Sequence, residues 1–85
     1  MRDFIETKRT EAEKVYEAKC HNYDLCIKSA IETAAQAGIR KADFHVQGSL
    51  GYGGKEILER YLRSIGCKLI DAFQNYSWVC VIFEF

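Results

Sequence analysis

Eighty-five residues, 48% hydrophobic and 13% aromatic, suffice for one small globular domain whose core is only just large enough, and exclude a disordered chain. Twelve basic residues balance twelve acidic ones, mixed along both halves. The basic stripe of a duplex-binding protein is missing, so nucleic acid is disfavoured as the main partner.

No apolar run is long enough to span a bilayer, and no membrane partner is expected. The charged start, Met1-Arg2-Asp3-Phe4-Ile5-Glu6, lacks the apolar centre of a signal peptide, which makes the cytoplasm the expected compartment. In that reducing setting Cys20, Cys26, Cys67 and Cys80 read as small apolar residues rather than two disulfides. No Cys-x-x-Cys pair occurs. His21 follows Cys20 directly, and adjacent helical residues point about 100° apart, a poor pair for one metal. Neither a metal nor a cofactor is expected.

Residues 2 to about 20 mix Lys, Arg and Glu at spacings that support helix, as in Glu13 and Glu17 against Lys14 and Lys19. Apolar residues are few there: Phe4, Ile5, Ala12, Val15, Tyr16 and Ala18. From Tyr23 the pattern changes. Tyr23, Cys26, Ile27, Ala30, Ile31 and Ala34 follow the series of a strongly amphipathic helix, and Gly38 suits its C′ position. A break near His21-Asn22, with Asn22 or Asp24 as cap, competes with one continuous helix of about 50 Å. No proline or glycine interrupts 1–37, so the continuous helix is preferred. It divides the chain into a charged helical arm, 1–22, and a compact α/β domain, 23–85. The seam Ile5, Ala12, Tyr16, Tyr23 suits packing against a copy of itself, with a solvated arm as the alternative.

A strand at 43–47 follows, then the glycine-rich loop Gly48-Ser49-Leu50-Gly51-Tyr52-Gly53-Gly54 and a helix opening near Lys55. Ile57, Leu58, Tyr61, Leu62 and Ile65 form its apolar face, and Gly66 ends it. A strand from Cys67 to about Phe73, a turn at Gln74-Asn75-Tyr76-Ser77 and a strand from Trp78 to Phe85 complete the chain. Pairing Phe73 with Trp78 puts Ile70, Ala72, Val79, Val81, Phe83 and Phe85 on one sheet face. Leu69, Phe73, Trp78, Cys80 and Ile82 then share the other with Asp71. Two apolar faces require two covers. Helices on both sides would serve, or a partner subunit on one, and the second is expected in so short a chain. The predicted class is α+β: a long N-terminal helix, then strand-helix-strand-strand, with a three-stranded sheet ending in an antiparallel hairpin.

A glycine loop entering a helix leaves backbone N–H groups at the positive end of the helix dipole, which suits an anion. It is no Walker A loop, because Ser49 stands where the first glycine belongs and Glu56 where the hydroxyl belongs. Nor is it the dinucleotide fingerprint, since Glu56 replaces the third glycine. The expected ligand site is Gly51, Gly53, Gly54 and Lys55 holding phosphate, Tyr52 stacking, and Arg40 or Lys41 adding charge; the bland reading is a plain strand-to-helix connection. Arg60 and Arg63 read as surface charges, and His45, facing away from Phe44 and Val46, as a partly buried or interface histidine. Tyr76 and Trp78 beside the turn suit stacking or oligomer packing. No Ser-His-Asp or supported Cys-His arrangement exists, so no enzyme is expected.

The run Ala34-Ala35-Gln36-Ala37-Gly38, the segment Ile57-Leu58-Glu59-Arg60-Tyr61-Leu62-Arg63-Ser64-Ile65-Gly66-Cys67 and the aromatic-rich closing hairpin carry a resemblance over about 24–85. The chain resembles short tailed-phage proteins with a charged N-terminal helix and a compact α/β body. Some small phage proteins of broadly similar build are sequestering proteins that assemble into oligomers and trap nucleotide-type immune signals. The resemblance implies a non-enzymatic homo-oligomer that sequesters a small anionic, nucleotide-like ligand. The alternative is an interaction module docking a host or virion partner through its N-terminal helix or its second apolar sheet face.

Overall fold

The amphipathic periods and glycine stops of the chain build six elements in a computed structural model that describes residues 1–51 and 53–85. They are α1 (Arg2–His21), α2 (Asp24–Gln36), β1 (Lys41–Gln47), α3 (Gly54–Ser64), β2 (Lys68–Asn75) and β3 (Trp78–Glu84). The class is α+β, with a small three-stranded antiparallel sheet. Helices α2 and α3 both end in the paired backbone bonds that a left-handed glycine permits. After α2, Gly38 (φ 75°) donates to Ala35 O and Ile39 to Ala34 O; after α3, Gly66 (φ 90°) donates to Arg63 O and Cys67 to Leu62 O.

The continuous helix preferred from sequence does not form. Asn22 and Tyr23 keep helical φ values, but their ψ angles of −13° and −7° are too flat to carry the helix on. Their N–H groups bond back three residues, to Lys19 O and Cys20 O. No side chain caps α2, whose N-cap is Tyr23 rather than Asn22 or Asp24. The helices on either side of this break pack on different partners, α1 on α3 and α2 on β1. Tyr61 of α3 bridges the joint, its hydroxyl meeting Asp24 and the His21 ring nitrogen.

The boundary of the arm moves accordingly. Cys20 is fully buried and Tyr16 packs on the core, so the end of α1 belongs to the domain. Residues 1–12 are exposed throughout, Phe4 and Ile5 included.

Strand order is β1-β3-β2, with β3 central and antiparallel to both neighbours. The hairpin loop is tighter than the predicted turn: Asn75 pairs with Trp78, and only Tyr76 and Ser77 connect them. A bulge at Ile70 shifts the register between Leu69 and Asp71. Leu69 therefore pairs with Phe83 on the core face, and Ile70 is left exposed, the reverse of the predicted assignment. The core joins Ile27, Ala34, Phe44, Leu58, Leu62, Val79, Val81 and Phe83. Tyr23, Phe44 and Phe83 form a chain of tilted ring contacts at 5.9 and 6.0 Å. Both covering helices thus sit on one face of the sheet.

Candidate functional site

The glycine loop leaves β1 at the end of the sheet where the hairpin turns. Gly48 donates to Ser77 O. The Gln74 side chain of β2 then grips the loop: its Oε1 accepts from Leu50 N at 2.8 Å, and its Nε2 donates to Gly48 O and Tyr76 O. Gly53 (φ 74°) forms the N-cap of α3, and no side chain caps the first turn. The Gly48, Leu50 and Gly54 N–H groups are thus bonded within the chain, and Lys55 follows in the first turn of α3. Tyr52, the expected stacking residue, lies outside the described residues.

The positive charge is otherwise dispersed. Lys55 Nζ lies 3.1 Å from Asp71 Oδ1, on the bulged edge strand, so a carboxylate already faces it. Arg40 and Lys41 sit at the opposite end of β1, seven residues and about 20 Å from the loop. Arg40 Nε donates to Phe85 O, and Lys41 stands across from Glu84. The expected basic rim around Lys55 is not assembled, because a strand running its full length separates its members. Arg60 reaches towards Glu13 and Glu17 of α1, and Arg63 pairs with Glu59 along α3.

A second feature is larger. The sheet face away from the helices carries four cross-strand rows, read across β1, β3 and β2. They are Lys41–Glu84–Lys68, Asp43–Ile82–Asp71, His45–Cys80–Phe73 and Gln47–Trp78–Asn75. Nothing among the described residues lies over the centre of this face. Phe73 and Trp78 are 42% and 46% exposed, although each is a large aromatic side chain. Cys80, in the central strand, is shielded by its neighbours. A groove of about 390 Å³ runs along the face, lined by Ile39, Asp43, His45, Phe73, Cys80 and Ile82.

The period-2 alternation of Asp43, His45 and Gln47 places these residues on that face, so His45 is exposed there rather than partly buried. Gln74 and Asp71 carried no sequence signal for their roles. Each meets its partner only after the crossover helix brings loop and edge strand together.

Among the described residues no group of three His, Cys, Asp or Glu side chains could hold a metal ion, and no helix is long and apolar enough to cross a membrane. Comparison with protein-family models, with curated proteins and with solved structures finds no match to this chain.

Proposed function

We infer that this chain is a non-enzymatic binding protein that docks another protein chain on the open face of its sheet. One observation carries the reading: both helices pack on the same side, and the other side carries a shallow groove lined by Phe73 and Ile82, with Trp78 exposed on the same face. Exposed aromatic side chains on a rigid, hydrogen-bonded surface supply contact area at low ordering cost. Lys41, Lys68 and Glu84 at one end and Gln47 and Asn75 at the other form a polar rim.

The test is photo-crosslinking in the cells that make the protein. A crosslinking residue at position 73 or 78 is expected to capture a protein, and one at the exposed Lys28 of α2 to capture none. Capture from Lys28 alone would remove the reading.

Sequestration of a small anionic, nucleotide-like ligand by a phage-type oligomer stands second. The uncapped first turn of α3 and Lys55 favour it. Asp71 beside Lys55 and the remoteness of Arg40 and Lys41 weigh against it.

A further inference from the structure

We propose that the occupant of the open sheet face is a second copy of this chain, docked about a two-fold axis that lies across the strands. This rests on the docking reading above and adds the partner and its register. Charge complementarity supports it: the four rows favour one of the two simple face-to-face arrangements.

A two-fold axis along the strands would lay each row on its own counterpart, with β1 over β2. Lys41 would then face Lys68, Asp43 would face Asp71 and Glu84 would face Glu84. Lys41 against Lys68 and Glu84 against Glu84 would be repulsive, with only Asp71 relieved by Lys55 of its own chain, and like-charge juxtaposition counts against an interface. An axis across the strands keeps β1 over β1 and reverses the rows. Asp43 of one copy then meets His45 of the other, twice by symmetry. Ile82 meets Cys80 at the centre, and Glu84 and the two lysines fall on the Trp78, Gln47 and Asn75 row. Asp71, which lands near Phe73, keeps Lys55 of its own chain beside it. Two sheets stacked this way form an aligned sandwich with apolar side chains interdigitated about 10 Å apart.

Size sets the strength. Three strands about 4.8 Å apart and seven residues at about 3.3 Å give a face of roughly 14 by 23 Å. That is well below the roughly 800 Å² per partner of a tight complex, so a concentration-dependent dimer is expected.

The experiment is sedimentation of the full chain and two variants, with circular dichroism as the check on folding. Asp43 and His45 are exposed and make no hydrogen bond or ion pair within the described chain, so D43K and H45E are expected to fold. Wild type should dimerise reversibly towards hundreds of micromolar. D43K alone removes the carboxylate that can accept from the His45 ring N–H, and H45E alone sets the introduced carboxylate against Asp43, so each should lose dimer at least tenfold. An equimolar mixture regains both attractive pairs and should recover wild-type association. Failure of the mixture to recover, or wild-type-like dimers from both single variants, overturns the register. A wild type that stays monomeric overturns self-association. The docking reading itself survives that result if positions 73 and 78 crosslink to a protein of different mass, and falls with it if they capture nothing.

Discussion

A Cβ built on Gly54, the first residue of α3, would stand 2.9 Å from the Tyr16 hydroxyl of α1 and 3.1 Å from two of its ring carbons. Glycine is what allows the two helices to approach there. The same hydroxyl is buried without a hydrogen-bond partner among the described residues, and burial raises its pKa. Gly54→Ala gains at most about 1 kcal/mol of helix propensity. Overpacking against a ring costs about 1–3 kcal/mol. A net loss in urea denaturation is therefore expected, with α1 displaced. Tyr16→Phe removes the unpartnered hydroxyl and is expected to gain about 1 kcal/mol; a loss of that size would mean that the hydroxyl is bonded.

Tyr76 holds the hairpin loop with φ at 57° and is 96% exposed. A left-handed conformation is costly for an aromatic residue and mild for asparagine. The side chain contributes little packing to offset it. Tyr76→Asn is expected to raise stability by about 0.5–1 kcal/mol, read from the thermal midpoint. A drop would show that the ring is anchored.

Alkaline pH should loosen the fold. Burial, with Glu17 and Asp24 adding to it, pushes the Cys20 thiol up from 9.0 to about 11. Burial, then the hydrogen bond to Asp24, pushes the Tyr61 phenol up to about 12. Tyr23 and Cys67 are raised by burial as well. A group with a folded pKa above its unfolded value stabilises fully below the unfolded value and loses that contribution as pH rises through the folded one. The denaturation midpoint should therefore stop holding near pH 9 and fall towards pH 12. Cys20→Ala should flatten the part between 9 and 11.

Lys55 and Asp71 distinguish the two functional readings. Their ion pair is about half exposed, so Lys55→Ala should cost less than about 1 kcal/mol. Under the docking reading, a native mass spectrum of gently purified protein carries no nucleotide-sized excess mass. A retained small molecule that is lost in Lys55→Ala would place sequestration first.

Much of this architecture was legible in the chain. The apolar series of α2 and α3 gave helices on the expected faces, and Gly38 and Gly66 stopped them, because a helix end with a left-handed residue is a local property. The break at Asn22-Tyr23 left no proline or glycine to read, and α1 and α2 pack on different partners on either side of it. The bulge at Ile70 was equally silent: one residue out of register exchanged the faces of Leu69 and Ile70. For the candidate site, the loop and Lys55 could be read as neighbours in sequence. Arg40 and Lys41, at the start of the strand that leads into the loop, were already a strand's length away in the sequence reading.

Composition and period act over a few residues, and they set the class of the fold, the strands, the glycine stops after α2 and α3 and the surplus of apolar surface. Where that surplus lies depends on strand pairing. With β3 in the centre, α2 over β1 and α3 beside β2 share one side, and the sheet's other side is left to Phe73, Trp78 and Ile82. Pairing between distant strands sets which side chains become neighbours, and no local pattern contains that pairing.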